Sequence, residues 1–194
     1  MWLVTIDKGQ IWFFGDNPLD NTIRKRIGYA PDKVAYFDHL SGRENVMTLA
    51  SYTWIDKQTR ENIWHKLFHE LELLYARDRL VSTYSQGMKQ RLGIIISLIG
   101  DPALLIRDEP MNALDPLGRI IIKKLMKKLQ SQGKTILFST HILSDINEIA
   151  DRFGILAQWH IVYEGITREV EWDLEDFFCS ILRDKQNQDK INIE

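Results

Sequence analysis

From Ser85 onward the sequence alternates between helical and extended patterns, and that alternation limits the chain to few folds. A helical stretch runs through Leu98. An apolar strand follows at 103–107, a helix at 117–132 is stopped by Gly133, and another strand fills 135–139. Strands separated by helices of this length pair in parallel through crossover connections. The expected fold class is therefore α/β, built on a parallel sheet. Residues 154–157 and 161–164 predict a hairpin, residues 172–182 a last helix, and 183–194 a polar, frayed tail.

Ahead of Ser85 the pattern is different. Short strands are predicted at 11–15 and 26–30, the second stopped by Pro31. Ser41 and Glu44 have the spacing of a capping box, so a helix should begin there. Ile63, Trp64, Leu67, Phe68 and Leu71 then recur at helical spacing, which predicts a second amphipathic helix. Residues from about 41 to 85 thus form a helical insert ahead of the alternating region.

The chain has 194 residues, 44% of them hydrophobic, enough for one core and no more than one domain by default. Its 25 basic and 27 acidic residues leave a net charge of -2, with the signs interspersed, which argues against a nucleic-acid partner. Lys123, Lys124, Lys127 and Lys128 read as the solvated side of a crossover helix whose buried stripe is Ile121, Leu125, Met126 and Leu129. The one cysteine, Cys179, excludes a disulfide framework and fits a reducing, cytoplasmic setting. No apolar run is long enough to cross a membrane and the first residues lack a signal peptide's basic start, so membrane association would go through a partner.

The strand at 103–107 runs into Asp108, Glu109 and Pro110. Neighbouring side chains diverge at a strand end, so the two carboxylates cannot share one job. At such a strand end in ATP-hydrolysing proteins, one carboxylate holds Mg²⁺ and the next can polarise an attacking water. Upstream, Tyr84-Ser85-Gln86-Gly87-Met88-Lys89-Gln90-Arg91-Leu92 opens a helix, whose N-terminal N–H groups suit a phosphate. Downstream lie Ala113-Leu114-Asp115-Pro116 and Ser139-Thr140-His141. Taken singly, Ser85 is explained by a helix cap and His141 by a hydrogen-bonded histidine at the end of a strand.

In this order the segments resemble the ATP-binding subunits of ABC transporters, and the resemblance covers the chain. It implies that Ser85, Gln86, Gly87 and Met88 are the signature motif. Asp108 would be the Walker B carboxylate for Mg²⁺, Glu109 the catalytic base, Asp115 the D-loop residue and His141 the switch histidine. Asp32 would stand in the Q-loop, a second contact to the metal. The wording of 84–92 with Leu40-Ser41-Gly42-Arg43-Glu44 is most similar to exporters of peptide antibiotics such as bacitracin and lantibiotics. The family implies ATP and Mg²⁺ as ligands, and ATPase activity. As partners it implies a membrane-spanning permease and a second ATP-binding subunit, on the inner face of the membrane.

Four departures stand out. No Gly-x-x-x-x-Gly-Lys-Ser/Thr occurs in these residues, so the expected fold is a P-loop ATPase sheet without its N-terminal strands and phosphate loop, its edge and apolar surface opened. Such a chain is expected neither to bind nor to hydrolyse ATP alone. The alternatives are a non-hydrolysing partner that lends its signature motif to a complete subunit, or a soluble ABC protein of translation or repair. Asp32 replaces the usual Q-loop glutamine and has no N–H to donate. Arg107 falls on a strand that is normally apolar and calls for a carboxylate neighbour or an opened sheet. Trp159 falls where the hairpin turn often has glycine, so a reshaped turn is expected.

Overall fold

The computed structural model describes residues 8–15, 21–31, 34–51, 55–170 and 173–191. They fall into two compact units that divide between Ser139 and Thr140.

The first unit is built on a three-stranded parallel sheet, in the order Ile27–Ala30 (β1), Leu104–Arg107 (β2) and Thr135–Phe138 (β3). The register aligns Gly28 with Leu105 and Ile136, and Tyr29 with Ile106 and Leu137. Side chains alternate across a pleated sheet, so these two rows face opposite ways. Gly28 and Leu105 are buried, whereas Tyr29 and Leu137 are 43% and 60% exposed. One face is thus covered and the other open, with β3 at an edge among the described residues.

A short helix, Asn21–Arg24 (α1), precedes β1. Between β1 and β2 lie Gly42–Ala50 (α2), Lys57–Glu70 (α3), two 3-10 turns at Leu74–Ala76 and Val81–Thr83, and Gln86–Leu98 (α4). The capping box forms in full: Ser41 Oγ accepts from Glu44 N at 3.2 Å, and Ser41 N donates to Glu44 Oε2 at 2.8 Å. Buried Asn45 binds the turn before it, donating to Phe37 O at 3.0 Å and Ser41 O at 3.0 Å and accepting from Phe37 N at 2.9 Å. Arg91 of α4 donates to Leu71 O at 3.1 Å, tying the end of α3 to the long helix.

Pro116–Ser131 (α5) connects β2 to β3 and buries Ile121, Leu125, Met126 and Leu129, while Lys128 pairs with Glu70 at 2.5 Å. Gly28 marks the closest approach of sheet and helix. A Cβ there would lie 2.2 Å from Ser97 O and 2.8 Å from Pro102, so no side chain fits.

The second unit holds Leu143–Ile149 (α6), an antiparallel hairpin of Arg152–Ala157 (β4) and His160–Ile166 (β5), and Leu174–Ile191 (α7). Its core is Phe153, Ile155 and Leu174, ringed by Tyr163 and Phe177. The Phe153, Tyr163 and Phe177 rings lie 4.8 to 6.3 Å apart and mostly edge to face, the arrangement aromatic quadrupoles favour.

Three expectations change. No strand forms at 11–15 among the described residues, because Phe14 (φ 54°) and Gly15 (φ 82°) turn left-handed and bend the backbone out of an extended path. The hairpin turn is not reshaped. Gln158 (φ 48°) and Trp159 (φ 65°) both take the left-handed form, as a two-residue type I′ turn requires, and the Ala157–His160 pairing that closes it is kept. The strain of a bulky residue there is on the order of 1–3 kcal/mol. The last helix runs through Ile191 and absorbs most of the expected tail, whose Lys, Gln and Asp residues include no Gly or Pro to stop it. Arg107 is buried at 2% exposure, and the acceptors around it include neutral oxygens, Gln90 Oε1 at 2.9 Å and Ala30 O at 3.3 Å.

Candidate functional site

The site begins where β2 ends. Asp108 is exposed and Glu109 partly so, and the chain turns at once: Glu109 takes φ 46° and its carbonyl accepts from Asn112 N at 3.0 Å. Buried Pro110 and Met111 pin the turn to the core. Ser139, just past the end of neighbouring β3, holds both residues. Its hydroxyl donates to Asp108 Oδ1 at 2.5 Å and accepts from Glu109 N at 3.1 Å, while its own N–H donates to Arg107 O at 3.1 Å. The parallel register of β2 and β3 brings these strand ends level.

The Ser85 turn lies on the same unit. Ser85 is the N-cap of α4, its hydroxyl accepting from Met88 N at 3.2 Å. Ser85 and Gln86 are exposed, Gly87 is half-buried, and the Met88 side chain is 7% exposed and part of the core. A helix start with open N–H groups and a positive dipole end can take an anion. A side chain at Gly87 would meet Ala113 O at 3.4 Å and Leu114 at 3.5 Å, so the 85–88 and 113–115 turns are neighbours. Asp115 caps α5, its Oδ1 accepting from Gly118 N at 2.7 Å.

The structure thus places Ser85, Gln86, Gly87, Met88, Asp108, Glu109 and Asp115 on the first unit, with the 85–88 turn beside Asp115's loop. His141 is exposed on the second unit. Asp32 lies outside the described residues. Reasoning from sequence gave Ser139 no role. Its part follows from the fold, because the strand it ends lies directly beside the one bearing the carboxylates.

The oxygen donors of Asp108 and Glu109 suit a hard cation such as Mg²⁺. Among the described residues no three His, Cys, Asp or Glu side chains gather as a complete metal site, so a cation here would take further ligands from water or from its substrate. The phosphate side fits less well, because the sequence contains no glycine-rich loop with lysine to cradle a triphosphate.

Residues 2–112 match the family model of the ABC transporter. The chain belongs to the ABC transporter family. It is 36% identical over 181 residues to the lantibiotic transport ATP-binding protein SrtF of Streptococcus pyogenes, covering 91% of this chain and 74% of that one. It is 36% identical over 160 residues to the bacitracin transport ATP-binding protein BcrA of Enterococcus faecalis, covering 80% and 51% respectively. A solved ATP-binding subunit of an ABC transporter superposes with a TM-score of 0.82 at 25% identity, over 91% of this chain and 77% of that one. The ABC chain spans only 43% to 51% of the length of several curated relatives, BcrA among them. No helix among its described residues is long and apolar enough to cross a membrane.

Proposed function

We propose that this chain is an ATP-side component of an exporter for peptide antibiotics or similar compounds, working with a membrane-spanning permease and a second ATP-binding subunit on the inner face of the membrane. What carries the reading is the strand end at Asp108 and Glu109, held by Ser139, on the same unit as an exposed signature turn at Ser85 and Gln86. The likeness to lantibiotic and bacitracin transport proteins supports the export assignment.

In this reading Asp108 and Asp32 would hold Mg²⁺ or its water, and Glu109 would take a proton from the attacking water. His141 steadies the terminal phosphate, and Asp115 lies at the contact between the two ATP-binding subunits. Ser85, Gln86 and Gly87 offer N–H and hydroxyl groups to a nucleotide held by that second subunit, with Met88 anchoring the turn. Bound Mg²⁺·ATP supplies the phosphoanhydride whose hydrolysis drives the cycle. Residues 1–194 by themselves supply no phosphate cradle, so we expect them neither to hold nor to hydrolyse ATP alone. Isothermal calorimetry with a non-hydrolysable ATP analogue should show no binding, and micromolar affinity would sink the reading.

A second reading, favoured by the exposed signature turn with its Ser85 cap, is a non-hydrolysing partner that lends 85–88 to a complete subunit. Mixing decides it: a complete subunit with its own signature serine disabled should regain ATPase activity when this chain is added, and no rescue rejects the donor role.

A further inference from the structure

We propose that Arg107 is a buried positioning residue that clamps α4, and with it the Ser85 turn, to the strand that carries Asp108 and Glu109. The functional weight of the clamp rests on the reading above; its existence does not.

Arg107 closes β2, directly ahead of the two carboxylates, and its guanidinium lies against α4. Nη2 donates to Gln90 Oε1 at 2.9 Å, Nη1 donates to Ala30 O at 3.3 Å, and Gln90 is itself only 4% exposed. Gln90 sits five residues past Ser85 on the same helix. Ala30 ends β1, ahead of the segment that leads to Tyr36. Tyr36 joins the same cluster from that side, donating to Lys89 O at 2.6 Å. Gly93 leaves the room for it, since a Cβ there would lie 2.9 Å from Tyr36 Oη and 3.6 Å from Arg107 Nη1. Burial drives the Tyr36 ionisation far up, and the nearby Arg107 charge works against that rise.

Three segments therefore meet on one guanidinium: the carboxylate strand, the signature helix and the stretch after β1. An arginine keeps its charge when buried and needs its acceptors in a fixed fork. Sliding or tilting α4 away from β2 would pull Gln90 Oε1 off Nη2 and leave a buried cation short of an acceptor, which is strongly unfavourable. A strand end with an apolar residue at 107 would place no such restriction on the helix.

Hydrogen–deuterium exchange on the chain tests this with Arg107→Met, Gln90→Leu, their combination and Arg107→Lys. Loss of a hydrogen bond to a charged group should raise exchange on the order of tenfold at residues 86–93 and 34–37. The double variant should be no faster than the faster single, the lysine variant should recover part of the protection, and the 152–166 hairpin should not change. Unchanged exchange at 86–93, an even rise across the whole first unit, or additive effects of the two single variants would each overturn the clamp. If circular dichroism shows that Arg107→Met does not fold, Gln90→Leu decides alone on the same segments.

Discussion

The hydroxyl of Ser139 donates to Asp108 at 2.5 Å and so joins the end of one strand to the carboxylate at the end of the next. The same oxygen accepts from Glu109 N, in a residue whose left-handed φ of 46° needs support. Replacing Ser139 with Ala should therefore lower stability by about 1–2 kcal/mol, the usual worth of two such bonds, with threonine restoring most of it. Urea unfolding followed by fluorescence measures the difference; an unshifted midpoint in the alanine variant would show that the bridge carries no weight.

Gly28 sits where β1 crosses under α4. Because a methyl there would meet Ser97 O at 2.2 Å, Gly28→Ala should force sheet and helix apart and destabilise the first unit by about 1–3 kcal/mol or more. The same urea experiment reads it. A midpoint equal to that of the parent chain would mean the helix can move aside freely.

Hydrogen bonds from the Ser41 hydroxyl and then the Ser41 backbone N–H hold the Glu44 carboxyl below its usual 4.5. A lowered carboxylate adds stability that is complete above the unfolded value and fades as pH falls through the folded one. The α2 region should thus lose its cap in acid, at and below pH 4.5. Ser41→Ala should remove most of that acid dependence, seen as a flatter stability curve between neutral pH and the acid limb. An identical curve would disprove the linkage.

Burial pushes the Tyr84 hydroxyl from 10.0 up to about 12, while it donates to Ala76 O at 2.7 Å. A raised phenol holds its proton longer in the folded state, so its contribution is complete below the unfolded value and declines as pH climbs through the folded one. Stability should fall between pH 10.0 and about 12 and do so less steeply in Tyr84→Phe, which loses the hydrogen bond but cannot ionise. Alkaline denaturation monitored by circular dichroism tests this, and equal slopes in the two proteins would count against it.

In a transporter assembled with its phosphate loop, Glu109→Gln should keep nucleotide binding and lose turnover by orders of magnitude, since the amide cannot accept the water's proton. Phosphate release would report it. Turnover at the parental rate would remove Glu109 from the role of base.

Much of this was legible from the residues. The capping box at Ser41, the buried stripe of α5 and the strands at 104–107 and 135–138 follow from local spacing and appear where expected. What escaped depends on through-space relations. The seven-residue α6 has no side-chain cap at Ile142 and too few turns to show a period. Two acceptors of Arg107 come from positions 90 and 30, far apart in the chain, and nothing local to the strand announces them. Ser139 acts only because β3 lies parallel and level with β2. Trp159 keeps its turn because hairpin pairing on both sides outweighs the residue's own preference.

The uncovered row of Tyr29 and Leu137, the latter on β3, an edge strand among the described residues, has a practical consequence for residues 1–194 handled as a separate polypeptide. Two such molecules can meet strand to strand and face to face, removing oily surface from water without any specific lock between them. Light scattering should grow with concentration and fall in mild detergent. A lysine at Leu137 is the simplest change that would keep the preparation clear.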